Sequence, residues 1–167
     1  LVIFGNDVVI FSDKDCKFPV SGNIENDWQR WFKRAVIKSA NQVWGAERWL
    51  KEFPNRVFLD RACNQKFPLE IPQPESANYH LIVIANGSEE VSKSIFGGSG
   101  SLILNSSLLE ENQEKNGPTP FMVGDLYSEK TFVHVLSEST LRILLGALDT
   151  VTDFIGYLEK KEKLFRS

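Results

Sequence analysis

The chain has 167 residues, of which 42% are hydrophobic, and a formal net charge of −3; that is enough for one cored domain, since single domains run to roughly 100–200 residues. The acidic balance excludes a molecule that binds polyanions over its whole surface, so any nucleic-acid role requires a local basic patch. Two cysteines, Cys16 and Cys63, exclude a disulfide framework and give no metal-ligand spacing, and no apolar run approaches the ~18 residues needed to span a bilayer, so the expected setting is reducing and cytoplasmic with no membrane contact.

The first fourteen residues, Leu1 to Lys14, carry two apolar runs, Leu1–Phe4 and Val8–Phe11, around the turn residues Gly5-Asn6-Asp7. That pattern predicts a β-hairpin. The chain opens in mid-strand without Met, and residues upstream of Leu1 are expected. The second strand ends in Ser12-Asp13-Lys14-Asp15. Side chains alternate along a strand, so Ser12 and Lys14 share one face while Phe11 and Asp13 share the other. Polar residues end most strands, and a solvated Lys14 would need no function. The alternative is an amine that orients a water or steadies a phosphoryl group, at the strand end where α/β proteins place their chemistry.

After a loop with Pro19 and Gly22, Asn26 or Asp27 can cap a long helix from Trp28 to about Phe53, stopped by Pro54. At about 100° per residue, Trp28, Phe32, Ala35, Ser39, Val43, Ala46 and Leu50 form one stripe, with Trp31, Gln42 and Trp49 on its shoulder. Gln42 lies where it can face the Ser12–Lys14 edge, and a buried amide needs partners. Arg30, Lys33, Arg34 and Lys38 make a positive patch that is either a solvated face or a phosphate contact. Ile37 and Trp44 fall among polar side chains, so the outer face is expected to touch a second element or a protein partner.

Further along, Arg56–Leu59 is a short strand candidate and Tyr79–Ala85 a strand buried on both faces. The segment Asn86–Gly100 is polar and ends in a glycine-rich run, Phe96–Gly100, that predicts a flexible loop, and the charged segment Leu109–Thr119 predicts a surface loop. Ser101–Leu104, Phe121–Leu126 and Thr131–Leu136 predict short strands. One helix from Ser137 or Ser139 to about Lys163 closes the chain. His80 and His134 lie in strand candidates without an acid or cysteine at ligand spacing, and no base and nucleophile pair can be placed. The Gly97-Gly98-Ser99-Gly100 run lacks the Lys-Ser/Thr of a phosphate-binding loop. The long helix between strands predicts a crossover, and hence an α/β sheet with helices on both faces.

The hairpin LVIFGNDVVIFSDK followed by a long helix carrying Gln42 resembles the PD-(D/E)XK nucleases, and within them the nuclease-related (NERD-type) branch. The resemblance covers about the first third of the chain. It implies a restriction-endonuclease-like α/β fold with a mixed central sheet and flanking helices. Residues 1–85 would be the nuclease-like core, and 86–167 a C-terminal extension of unassigned role within a single domain. It also implies metal-dependent phosphodiester hydrolysis, with Mg²⁺ or Mn²⁺ as cofactor and DNA as partner. Lys14 matches the family lysine that positions the attacking water, and Gln42 the helix glutamine. Ser12 stands where the family has a glutamate, so catalysis would be weakened or lost. Asp13 would offer a metal only its backbone carbonyl, and the family aspartate would fall just before Leu1. The alternative function is a non-catalytic protein-interaction module with the partner at the Ile37/Trp44 face.

Overall fold

The structure, a computed structural model, describes residues 1–108 and 119–166. The predicted loop at Leu109–Thr119 lies, except for its last residue, outside the described residues. β1 (Val2–Phe4) and β2 (Asp7–Asp15) form the expected hairpin, paired Val2 to Val9 and Phe4 to Asp7. Gly5 takes φ +58° at the first position of the two-residue loop, where a strand-compatible primed turn needs glycine.

β2 runs parallel to β3 (Asn78–Asn86), and β3 runs parallel to β6 (Val133–Leu136), so the sheet order is β1-β2-β3-β6. β3 is central and nearly all buried, as its continuous apolar run requires. β6 comes from the C-terminal half, which therefore completes the same sheet. A second pair, β4 (Ile103–Leu104) and β5 (Met122–Val123), is parallel and short. The Arg56–Leu59 candidate is reduced to an isolated bridge between Phe58 and Lys66.

The long helix begins earlier than its sequence suggests. Asn23 caps it by accepting from the Asn26 amide at 3.0 Å, and α1 spans Ile24–Phe32. Asp27 is instead buried and accepts from the Ser21 amide at 2.7 Å. A π-helical turn, Lys33–Ile37, joins α1 to α2 (Lys38–Glu52). A π turn inserts one residue into the helical repeat, so beyond it the buried stripe moves one position on. Ala40 and Glu47 are buried beside Val43 and Leu50, and Trp44 is half-buried.

That shift explains the two residues that broke the pattern. Ile37 packs against the main core. Trp44 donates its indole N–H to the Thr131 carbonyl at 2.8 Å, meets Tyr127 edge-on at 5.3 Å, and lies 4.3 Å below the Lys130 ammonium. The second element touching this face belongs to the chain itself. Glu47 is held by Lys51 at 2.6 Å and by the Thr131 hydroxyl at 2.7 Å.

The core has two layers. Val8, Ile10, Leu81, Val83 and Val135 face α1, α2 and Phe121. Val9, Ile82, Ile84 and Leu136 face the C-terminal helix. Trp28 anchors the larger layer, with ring centroids 5.1 Å from Trp31, 5.4 Å from Phe32 and 5.0 Å from Phe121.

Two helices differ from expectation. α3 (Glu89–Phe96) forms in the polar segment for which the sequence predicts no element. The single C-terminal helix is two, α4 (Glu138–Ala147) and α5 (Val151–Arg166). Ser137 caps α4, and Thr150 accepts from the Asp153 amide at 3.1 Å while donating to its carboxylate at 2.7 Å. The second cap restarts the helix and sets α5 against the sheet. No helix among the described residues is long and apolar enough to cross a membrane.

Candidate functional site

β2 continues six residues past Val9, where β1 stops, and remains laddered to β3 as far as Asp15 against Asn86. The carboxyl end of β2 is thus a regular strand that projects its side chains alternately to two faces. Val8 and Ile10 point into the α1–α2 layer, and Val9 and Phe11 into the α5 layer. By the same alternation Ser12 and Lys14 belong to the helix α2 side and Asp13 and Asp15 to the other.

Ser12 bears this out. Its hydroxyl donates to the Gln42 side-chain carbonyl at 3.2 Å. The expected facing of Gln42 and the Ser12–Lys14 edge is therefore present, although Gln42 is exposed and not buried. Ser12 uses one of the two lone pairs of the amide oxygen, so the Gln42 NH₂ group with its two donors and the second lone pair remain for a ligand.

The chain leaves β2 through Cys16 and is tied down at once. The Trp31 indole N–H donates to both the Cys16 carbonyl at 2.9 Å and the Asn86 carbonyl at 3.2 Å, pinning the ends of β2 and β3 together. Gly87 permits this closeness: at φ +105°, a Cβ there would lie 2.2 Å from the Cys16 carbonyl oxygen.

Lys17 to Val20 then pass alongside α1 and the π turn, enclosing a groove of about 730 Å³ lined by Lys17, Phe18, Pro19, Val20, Arg30, Lys33 and Arg34. Arg34 bridges its walls, donating to the Arg30 carbonyl at 3.3 Å and the Lys17 carbonyl at 3.2 Å. Lys38 begins α2, outside this groove. Among the described residues none of Lys14, Lys17, Arg30, Lys33, Arg34 or Lys38 is in an ion pair. These cations stand in a chain of net charge −3.

The opposite face of the same strand end is negative. A cavity of about 610 Å³ there is lined by Asp13, Asp15, Asn86, Glu89, Glu90, Ser99, Glu138, Ser139 and Arg142. Asn86 organises it, accepting from the Glu138 amide at 2.8 Å and donating to Asp13 at 3.5 Å. Glu138 pairs with Arg142 at 2.6 Å.

This division decides how well the edge suits a divalent ion. Mg²⁺ and Mn²⁺ are hard cations that take carboxylate oxygens. The Ser12–Lys14–Gln42 face offers a hydroxyl, an amide and an ammonium, while the Asp13 carboxylate lies on the other face. No group of three or more His, Cys, Asp or Glu side chains among the described residues is placed to hold a metal. The residues present do not fit the ion that the family resemblance implies.

The histidines belong elsewhere. His80 pairs with Asp7 at 3.0 Å. His134 is 1% exposed, lies edge-on to Phe132, and its Nδ1 has no hydrogen-bond partner among the described residues. Burial, followed by the charges of Lys161, His80 and Arg166, pushes its pKa down to about 3. Lys161, also buried, is pushed down to about 8 by desolvation.

Lys17 and the apolar wall at Pro19 and Val20 were not legible as part of a site. They sit in a loop whose only sequence signal was its breakers, and the enclosing geometry comes from Arg34 and Trp31. In comparisons with known proteins, no family model, curated protein or solved structure matches this chain.

Proposed function

We propose that this chain is a nuclease-related, nucleic-acid-binding α/β domain of restriction-endonuclease-like type that grips the phosphodiester backbone at the carboxyl end of β2. The observation that supports the reading is the cationic groove of Lys17, Arg30, Lys33 and Arg34 just past the end of β2, beside a strand end that carries Lys14 and where Ser12 holds the Gln42 amide. Lys14 is a compact ammonium for a non-bridging phosphate oxygen. Gln42, turned by Ser12, adds neutral donors to the same oxygens. Arg30, Lys33, Arg34 and Lys38 extend the positive field along the helix, where each phosphate contact releases counterions. The acidic cavity on the reverse face repels the same polyanion and so orients it.

Hydrolysis is left out of this proposal, because the donor set on the Lys14 face lacks the charged oxygens a divalent ion needs. The reading is therefore of backbone binding that does not require the metal. Titrating a short DNA duplex into the isotopically labelled protein in the presence of a chelator tests it. Amide shifts concentrated at Ser12–Lys17 and Arg30–Gln42 support the reading. Shifts centred on the acidic cavity, or none at millimolar duplex, overturn it.

A further inference from the structure

The groove beside the Lys14 edge differs from a simple basic patch in having one apolar wall. Four cations line it, and no carboxylate does. Facing them are Phe18, which is 5% exposed and stacked at 5.7 Å on Phe121, and Pro19 and Val20. Val20 is 87% exposed, an aliphatic side chain held in water beside clustered positive charge. The groove is also built, since Arg34 hydrogen-bonds to the backbone on both sides of it.

We infer that this groove is a binding site for single-stranded DNA, an inference that rests on the reading of the Lys14 edge as a phosphate-binding face. A duplex turns its phosphates outward and keeps its bases stacked inside. It engages the cations and leaves Val20 and Pro19 solvated. A single strand presents phosphates along one side and unstacked base faces along the other. Its backbone lies against Lys17, Arg30 and Lys33, and a base covers the Pro19–Val20 wall, removing apolar surface from water. The groove lining starts at Lys17, just past the end of β2 at Asp15, and so adjoins in the chain the strand end that carries Lys14.

The test is fluorescence anisotropy with an oligo-dT strand and a duplex of equal length, in a chelator, on the wild type, Val20→Ser and the pair Arg30→Ala/Lys33→Ala. Val20 is exposed, so its replacement leaves the fold intact. The expected result is an oligo-dT affinity several-fold above that of the duplex, from the apolar surface of Pro19 and Val20 that a base removes from water. Val20→Ser lowers oligo-dT affinity several-fold without changing duplex affinity, and the cation pair weakens both. Duplex binding equal to or tighter than oligo-dT, unaffected by Val20→Ser, overturns the single-strand inference while leaving the phosphate-face reading standing. Absence of binding to either nucleic acid overturns both. Competition of bound oligo-dT by poly-glutamate as effectively as by unlabelled strand overturns the inference in favour of an acidic peptide.

Discussion

Ser12 of β2 and Gln42 of α2, thirty positions apart, are joined by a hydrogen bond of 3.2 Å from the serine hydroxyl to the glutamine carbonyl. The packing of Ala40, Val43 and Leu50 in the core sets the rotation of α2, and the bond joins its exposed shoulder to the strand end that carries Lys14. A partly exposed neutral hydrogen bond contributes about 0.5–1 kcal/mol. A double-mutant cycle of Ser12→Ala and Gln42→Ala, followed by urea unfolding, is expected to give a coupling energy in that range.

The tie between strand ends is stronger. Trp31 donates one N–H to two carbonyls, those of Cys16 and Asn86, in a setting where the indole is fully buried. Trp31→Phe keeps a ring in the cluster but leaves both carbonyls a donor short. A loss of about 1–3 kcal/mol is expected, together with faster hydrogen exchange at the Cys16 amide, which itself donates to Asn86 at 3.2 Å.

His134 sets an acid limit on the fold. Its pKa lies near 3 in the native state against an ordinary 6.5. Between those values the unfolded chain takes up a proton that the native chain does not. The stabilisation is complete above pH 6.5 and is lost as pH falls towards 3, on the order of 4–5 kcal/mol in all. His134→Phe is expected to flatten this limb of the stability curve and to remove the cost of the unpartnered Nδ1, as chemical unfolding at pH 7 and pH 4 would show.

Lys161 acts in the opposite range. Its native pKa is near 8 against 10.5, so the buried ammonium opposes folding at neutral pH. As pH rises from 8 to 10.5 the native chain sheds the proton before the unfolded chain does, and wild-type stability rises. Lys161→Met is expected to be more stable than wild type at pH 7 by up to roughly 3 kcal/mol. That advantage shrinks to near zero by pH 10.5, which paired urea titrations at the two pH values would reveal.

Much of the fold is legible because its periodicities are local. The hairpin, the buried run of β3 and the long first helix each announce themselves, and strand alternation with helix phase alone brings Ser12 and Gln42 to one edge. What is not legible depends on tertiary contacts. The π turn at Lys33–Ile37 carries no residue signature, yet it rotates the following stripe and so buries Glu47 and half-buries Trp44. α3 gives no helical signal in the sequence because it is short and polar, with Ser92 its only buried side chain. The break between α4 and α5 was written in Thr150 and Asp153, a capping pair inside an otherwise continuous apolar pattern. The Asp13 side chain falls on the acidic face as alternation requires, and only the structure shows how many other carboxylates meet it there.

The most direct measurement is the salt dependence of duplex DNA binding by wild type and Lys14→Ala in a chelator. Phosphate contacts give a log–log slope of about −0.9 per contact. The expected wild-type slope is about −3 to −5, reduced by about 1 in Lys14→Ala with the thermal midpoint unchanged. A binding constant independent of salt, or a Lys14→Ala protein with the full wild-type slope, would contradict the assignment of this strand end to the nucleic-acid backbone.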